Sequence, residues 1–329
     1  MLVVGANGTG KTNLLESLHV GTQGFSPRTR ADAQLIRFGQ AAARIAVRGV
    51  RGNAVPVELE ITLQATAAKR GRMNGAPLRA AELLRAEIAT LVFTPDRLAV
   101  VKGGPGVRRA YFDRALGRVF PARAGLPADY AGALGQRNAA LRRVALGLSS
   151  RSALEPWTER VAALGAELVA ARLAALELLT PAFHDCAGEL GVDGAKLVYA
   201  GEAPTLEALT SRLERDLERG STGLGPHLDD VAIAAGERDL RLYGSQGEQR
   251  LAVLSLLLGE AELLAARGGE PPLLLLDDVL SELDRDRRTA LVRRLPVGGQ
   301  TLISATSADL LPATPAQRLE VSPGRVSAA

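Results

Sequence analysis

The segment between residues 5 and 12 constrains the fold of this chain more than any other. It matches the pattern Gly, four residues, Gly-Lys-Thr, in the run Gly5, Ala6, Asn7, Gly8, Thr9, Gly10, Lys11, Thr12. An apolar run at Met1 to Val4 precedes it, and apolar residues at helical spacing follow at Leu14, Leu15 and Leu18. This context predicts a strand, a phosphate-binding loop and a helix, the opening of an α/β fold.

Each residue type in this loop has a chemical reason. Glycines let successive backbone N–H groups converge on a phosphate, and the following helix adds its positive N-terminal end. All eight residues are therefore predicted to bind the phosphates of a nucleotide. Lys11 would reach the β- and γ-phosphates, and the Thr12 hydroxyl would be a ligand of Mg²⁺.

A second candidate site follows an apolar strand late in the chain. Four consecutive leucines, Leu273 to Leu276, are typical of a strand that is buried on both faces, and Asp277 and Asp278 follow them directly. Ligands bind beyond the carboxyl ends of strands in an open parallel sheet, where the phosphate loop is also expected. We therefore predict that Asp277 binds Mg²⁺, either directly or through a water ligand of the metal, and that Asp278 is the catalytic residue that orients or deprotonates a water. The alternative is a pair of acids that begins the next helix.

Composition excludes several classes of protein. The 329 residues are 47% hydrophobic and 23% charged, which is typical of a globular protein with about two domains. One cysteine, Cys186, excludes an intramolecular disulfide, and a net charge of +4 indicates only mild attraction to polyanions. The longest apolar stretch, Leu251 to Ala266, contains Glu260 and Glu262, so no transmembrane helix is expected. Because no basic segment precedes the apolar Met1 to Val4, we expect no secretory signal and a cytoplasmic location.

The pattern along the chain predicts three parts. Residues 1–115 form the first part of the nucleotide-binding lobe, 116–220 a mostly helical insert, and 221–329 the second part of that lobe. Arg151 to Leu179 has apolar residues near helical spacing, including Leu173. Strands are expected at Val55 to Leu63, Leu91 to Phe93, Leu273 to Leu276 and Thr301 to Ile303, and near Val231 and Ile233. The two α/β ends are predicted to build one sheet.

A glycine-containing turn precedes the long apolar helix that is expected from about Leu251. Ser245 and Glu248 have the spacing of a capping box, which any helix start could use. The order of segments is more specific: phosphate loop, helical insert, Ser-x-Gly-Glu-Gln, acidic strand, then Ser281 to Asp284. This order resembles the ABC-type ATPases, which implies an ATPase head with an inserted, mostly helical second lobe. It also implies that Ser245, Gly247 and Glu248 bind the nucleotide held by a second subunit.

Within that superfamily the chain resembles the RecF family of bacterial recombination mediators. The resemblance covers nearly the whole chain and rests on Gly10 to Glu16, Phe93 to Leu98, Val101 to Pro105, Arg108-Arg109 with Phe112-Asp113, Gly225-Pro226-His227 with Asp229-Asp230, and Ser245 to Gln249. SMC-type relatives carry much longer coiled-coil arms in place of the insert.

The RecF resemblance implies an ATP-dependent homodimer that holds duplex DNA. Such proteins recognise single-strand to double-strand junctions and, with RecR and RecO, help RecA onto gaps in replication, recombination and the SOS response. A weak, DNA-stimulated ATPase would act as a timer. Candidate DNA contacts are the pairs Arg70 and Arg72, Arg108 and Arg109, and Arg142 and Arg143.

Three departures from the family pattern bear on these expectations. Family members begin earlier, with a strand pair and residues near the adenine, so we expect the sheet edge and adenine recognition to be incomplete. Leu228 stands where an arginine is expected, and Thr306 lies near the position of the transporter switch histidine. The alternatives are a transporter ATP-binding subunit, another ABC-type or SMC-like DNA-repair ATPase, or a P-loop kinase whose Ser245 turn is only a helix cap.

Overall fold

The computed structural model describes residues 1–29, 31–50, 55–78, 84–85, 87–267 and 270–328. The chain divides into two compact units. Unit 1 comprises Met1–Arg97, Glu189–Gly191 and Val253–Ala329, and unit 2 comprises Leu98–Gly188 and Val192–Ala252. This division differs from the predicted one, because residues 98–115 and 221–252 lie in unit 2 with the helical insert.

The described strands form three sheets. In chain order they are β1 (Leu2–Val4), β2 (Ala42–Val50), β3 (Pro56–Gln64), β4 (Arg70–Met73), β5 (Ala76–Pro77), β6 (Thr90–Phe93), β7 (Ala195–Ala200), β8 (Asp230–Ala235), β9 (Arg238–Asp239), β10 (Leu273–Leu276), β11 (Thr301–Ala305), β12 (Arg318–Ser322) and β13 (Arg325–Ala328).

The described helices range from single turns to a rod of 35 residues. They are α1 (Lys11–Gln23), α2 (Ala99–Lys102), α3 (Pro105–Val119), α4 (Leu126–Ala145), α5 (Glu155–Glu189), α6 (Leu206–Ser211), α7 (Leu213–Arg219), α8 (Leu240–Tyr243), α9 (Gln246–Ala266) and α10 (Arg285–Arg293). In the part of the chain that the structure describes, none of them is both long and apolar enough to cross a membrane.

The main sheet of unit 1 has the strand order β13-β12-β1-β11-β10-β6. Its strands run parallel except for β13, which is antiparallel to β12. The sheet joins strands from both ends of the chain, which confirms the predicted common sheet. Its interior buries Val3, Val92, Leu275, Leu302 and Val321 from five different strands.

Helix α1 packs between two layers of unit 1. Leu15 on one side belongs to the core of the main sheet, and Val20 belongs to a second core under the antiparallel meander β2-β3-β4-β5. Strand β3 buries every second side chain, as the alternation in the sequence predicts. Gly21 lets α1 approach β2 closely, because a Cβ at this position would contact the Val47 side chain. Both layers therefore fix the helix that follows the phosphate loop.

Unit 2 combines helices with a small antiparallel sheet, β7-β8-β9. The core lies along α5, where Val161, Leu164 and Leu168 are buried. Leu173, which the sequence places on the same apolar face, is 46% exposed, because it lies off the buried stripe. Strand β7 was not predicted. It pairs with β8 over six residues, and this pairing explains why the segment after Gly220 folds with the insert.

Candidate functional site

The phosphate loop joins β1 to α1 and depends on glycine at defined positions. Gly8 and Gly10 have φ angles of +80° and +108°, in the left-handed region that side chains other than glycine rarely adopt. Gly10 is the N-cap of α1, and no side chain caps the helix there. The first backbone N–H groups of α1 are therefore open to an anion.

Lys11 lies inside the loop that precedes it. Its Nζ donates hydrogen bonds to the carbonyl oxygens of Gly5 at 2.7 Å and Ala6 at 3.0 Å, and the side chain is buried. Gly5 is packed so closely against β12 that a Cβ would overlap the Val321 carbonyl oxygen. Thr9 closes the loop by donating to the Ala6 carbonyl at 2.9 Å. The lysine ammonium is thus held at the loop's mouth by groups that phosphate oxygens could replace.

The two acids after β10 differ in their environment. Asp277 is buried, and its Oδ1 accepts a hydrogen bond from the Ser304 hydroxyl at 2.7 Å. The backbone of Asp278 has a φ angle of +50°, and its N–H donates to the same Ser304 oxygen at 2.9 Å. The carbonyl of Asp278 accepts from the Ser281 hydroxyl at 3.0 Å. The acids therefore lie in a fixed turn at the end of the strand, not in the first turn of α10.

Sheet register brings the loop and the acids to one edge. Leu276 pairs with Ile303 and Val3 with Ser304, so β11 lies between β1 and β10. All three strands are parallel and end at the same edge. Neighbouring strands are about 4.8 Å apart, which separates the ends of β1 and β10 by roughly 10 Å. A nucleotide and its metal ion fit such a span.

Oxygen ligands at this edge fit a magnesium ion. Thr12 offers a hydroxyl and Asp277 a carboxylate, the donors that Mg²⁺ prefers. Two buried oxygens at the ends of β6 and β10, Thr94 Oγ1 and Asp278 Oδ1, have no hydrogen-bond partner among the described residues. Buried polar atoms are rarely left unpaired, so these two oxygens are candidates to pair with a bound ligand.

The predicted signature turn lies in unit 2 and forms a complete capping box. The Glu248 N–H donates to Ser245 Oγ at 3.2 Å, and the Ser245 N–H donates to Glu248 Oε2 at 2.8 Å. Glu248 Oε1 also accepts from Arg238 at 3.0 Å. The Ser245 N–H, followed by the Arg238 and Ser245 side chains, holds the pKa of Glu248 below its usual value. Both oxygens of this carboxylate are engaged, whereas Ser245 and Gly247 are exposed at the start of α9.

The Gly-Pro-His segment is part of the scaffold of unit 2. His227 Nδ1 lies 2.8 Å from the Tyr130 hydroxyl, and its Nε2 lies 3.0 Å from the Thr222 carbonyl oxygen. Gly225 has a φ angle of +126°, and a Cβ there would lie 2.6 Å from the Tyr130 oxygen. Leu228 is 57% exposed, so its side chain adds nothing to this network.

The arginines that were predicted to contact DNA differ in their exposure. Arg108 is 3% exposed and makes a bidentate pair with Asp230, at 2.7 and 2.6 Å, so its prediction as a DNA contact is wrong. Arg109 donates to the Asp229 carbonyl at 2.6 Å. Four side chains are exposed: Arg70 and Arg72 on β4, and Arg142 and Arg143 near the end of α4. Thr306, just after β11, is also exposed.

Sequence reasoning missed Ser304 and Thr94. Each lies at the carboxyl-terminal end of a strand next to β10, and each is buried. A polar residue at the end of an apolar strand was the available signal, but only the strand order shows that these two flank Asp277.

Curated proteins are similar to the chain over most of its length. The chain is 37% identical over 307 residues to DNA replication and repair protein RecF of Heliobacterium modesticaldum, covering 89% of this chain and 82% of that protein. It is 35% identical over 329 residues to the Bacillus subtilis protein of the same name, covering 94% and 87%. No family model matches the chain.

Solved structures resemble the chain over its full length. A structure of the recombination mediator protein RecF with ATP, in the RecFOR pathway, superposes with a TM-score of 0.89 at 28% identity and covers 100% of this chain and 91% of that one. An Smc head domain bound to ScpA from Pyrococcus furiosus superposes with a TM-score of 0.59 at 17% identity, covering 100% and 89%, and shows the fold alone. The chain therefore belongs to the RecF family of DNA replication and repair proteins, and its fold is the α/β fold of P-loop ATPase heads.

Proposed function

We propose that this protein is an ATP-dependent DNA-binding protein of recombinational repair and replication that dimerises on ATP. The observation that carries the proposal is the placement of the phosphate loop and of Asp277 and Asp278 at the ends of parallel strands in one sheet. Membership of the RecF family and the likeness to a RecF structure with ATP support it.

The loop residues would bind the phosphates of ATP. Backbone N–H groups of Gly5 to Thr12 would surround the β-phosphate, and Lys11 would exchange the Gly5 and Ala6 carbonyls for β- and γ-phosphate oxygens. Mg²⁺ held by Thr12 and Asp277 would neutralise charge on those phosphates. Asp278 would orient or deprotonate the attacking water, because it follows β10 at the edge of the sheet where the phosphate loop lies.

Dimerisation would use the exposed start of α9. Ser245 and Gly247 of one subunit would contact the γ-phosphate held by the loop of the second subunit, because a helix N-terminus attracts an anion. Glu248 would act through the cap rather than as a phosphate ligand, since a carboxylate repels phosphate. ATP that binds the dimer better than the monomer shifts the equilibrium by that difference in affinity. Hydrolysis would remove the γ-phosphate that joins the two subunits. A weak, DNA-stimulated ATPase activity would therefore determine how long the dimer stays closed.

Duplex DNA is the proposed partner of the closed dimer, at junctions of single and double strands. Exposed arginines are available for phosphate contacts, Arg70 and Arg72 in unit 1 and Arg142 and Arg143 in unit 2. By analogy with the related RecF of the RecFOR pathway, RecR and RecO would join the complex and help RecA onto gaps.

Binding of a labelled duplex tests the proposal directly. The Asp278→Asn protein is titrated into the duplex with Mg²⁺ and ATP, with ADP, or without nucleotide, and fluorescence anisotropy gives the dissociation constant. We expect binding roughly tenfold tighter with ATP, within the range of coupling between two sites. Lys11→Ala is the control and should show no nucleotide response. Equal affinity in all three conditions would contradict the proposal.

A further inference from the structure

Ser304 is a buried serine whose hydroxyl contacts both acids of the site. It lies in β11, is fully buried, and is the register neighbour of Asp277, since Leu276 pairs with Ile303. Its hydroxyl donates to Asp277 Oδ1 at 2.7 Å and accepts from the Asp278 N–H at 2.9 Å. Burying a hydroxyl is unfavourable unless it is hydrogen-bonded, and here these two bonds compensate for the loss of water.

The bond to Asp277 fixes how that carboxylate is presented. The bond from Ser304 to Oδ1 restricts the rotation of the carboxylate, and no hydrogen bond from a described residue to Oδ2 is present. A metal ligand that is oriented in this way by a neighbouring group binds more tightly than a free one.

The bond to Asp278 fixes a backbone conformation that aspartate does not favour. A φ angle of +50° places Asp278 in the left-handed region, which residues with a Cβ adopt less readily than glycine. Hydroxyls hold this turn from both sides, Ser304 at the N–H and Ser281 at the carbonyl. The direction in which the Asp278 side chain leaves the strand end therefore depends on Ser304.

We infer that Ser304 is a positioning residue, which orients Asp277 toward the metal ion and Asp278 toward the attacking water through one hydroxyl group. The inference rests on the proposed function. The Ser304 hydroxyl links the two acids, so its removal should affect metal affinity and hydrolysis together and leave the phosphate loop unchanged.

The experiment compares three variants at this position with a matched control. Ser304→Ala removes the hydroxyl, Ser304→Cys keeps the size but bonds weakly, and Ser304→Thr keeps the hydroxyl. Ser255→Ala removes another fully buried serine hydroxyl, on α9 in unit 1. Affinity for Mn²⁺ in the ADP complex is measured by electron paramagnetic resonance, and hydrolysis by single turnover with saturating ATP.

We expect Ser304→Ala and Ser304→Cys to weaken Mn²⁺ binding and slow hydrolysis by about 10- to 100-fold, the usual effect of losing a group that orients a metal ligand. ATP affinity without metal should stay unchanged, Ser304→Thr should restore both properties, and Ser255→Ala should resemble the wild type. If the alanine variant does not fold, the Mn²⁺ affinity and hydrolysis rate of Ser304→Cys test the inference.

Two results would overturn the inference. One is wild-type Mn²⁺ affinity and turnover in Ser304→Cys, and the other is a folded Ser304→Thr that is as defective as Ser304→Cys. Failure of the proposed function would show differently, because the wild-type protein itself would then bind no ATP or hydrolyse none.

Discussion

Ser245 and Glu248 cap the start of α9 reciprocally, each accepting a hydrogen bond from the backbone N–H of the other, at 3.2 and 2.8 Å. The capping box alone explains why these two residue types stand three apart. It leaves Ser245 and Gly247 exposed, however, so a role in capping and a role in binding a partner's phosphate are compatible and can be separated by mutation.

Ser245→Asp separates the two roles. Aspartate caps a helix about as well as serine, so the free energy of unfolding should change by less than about 0.5 kcal/mol. Its negative charge would face the γ-phosphate, so we expect loss of ATP-dependent dimerisation in size-exclusion chromatography. Ser245→Ala is the comparison, with a loss of about 1 kcal/mol from the cap. Normal dimerisation of the aspartate variant would mean that the turn is only a cap.

Arg108 should matter for stability rather than for DNA binding. Besides Asp230, its guanidinium donates to the carbonyl oxygens of Val101 at 3.2 Å and Gly103 at 2.7 Å. Burial opposes ionisation of Asp230, but the Arg108 guanidinium outweighs it and holds the pKa of Asp230 below its ordinary value. Arg108→Met leaves these groups unpaired and should lower the free energy of unfolding by about 3 kcal/mol in urea denaturation.

The matched control for this substitution is Arg143→Met, an exposed arginine on α4 in the same unit. It should change stability by less than about 0.5 kcal/mol. A loss below about 1 kcal/mol for Arg108→Met would show that the pair with Asp230 is not a structural requirement.

His227 predicts a pH dependence of stability. Burial, chiefly, lowers the pKa of this histidine below its ordinary value of 6.5. The folded protein therefore binds fewer protons than the unfolded chain just below pH 6.5. The free energy of unfolding should therefore be highest above pH 6.5 and should decrease as the pH falls toward the pKa of His227 in the folded protein. The decrease should be small, because the ring is only half-buried and solvent screens its charge. In a plot of melting temperature against pH, His227→Gln should show a smaller decrease below pH 6.5 than the wild type. Parallel curves for the two proteins would show that His227 does not cause the pH dependence.

Arg70 and Arg72 give a prediction for DNA. Neither arginine forms an ion pair with a described residue. Arg48 on β2, by contrast, forms an ion pair in which its Nη2 lies 2.8 Å from Glu58 Oε1. If both contact phosphates, Arg70→Ala with Arg72→Ala should reduce the slope of log affinity against log salt by about 1.8, at roughly 0.9 per contact. Arg48→Ala should leave the slope unchanged, because its charge is already paired. An unchanged slope in the double variant would place the DNA elsewhere.

Local patterns in the sequence predicted much of the fold and the placement of the candidate site within it. The loop from Gly5 to Thr12 and the leucines before Asp277 are each defined by neighbours in sequence, and the structure places both as expected. The roles of Gly5 to Thr12, Ser245 and Gly247 in binding the nucleotide, of Thr12 and Asp277 in binding Mg²⁺, and of Asp278 in catalysis stay predictions.

What the sequence did not predict depends on long-range pairing. Strand β7 is recognisable only because β8 pairs with it, and that pairing moves the boundary between the units. Ser304 gains its two partners from the order of β10 and β11, which no local pattern specifies. The sequence near Arg108 is typical of an exposed arginine. Its ion pair with Asp230, which is distant in sequence, is visible only in the fold.

Sedimentation velocity of the Asp278→Asn protein tests the ATP-dependent dimer most directly. The protein is compared at one concentration with Mg²⁺ alone and with Mg²⁺ and ATP, and ATP binding is measured in parallel. We predict a monomer without ATP and a dimer with it, because the amide keeps the turn but does not promote hydrolysis. A protein that binds ATP and still sediments as a monomer would contradict ATP-dependent dimerisation.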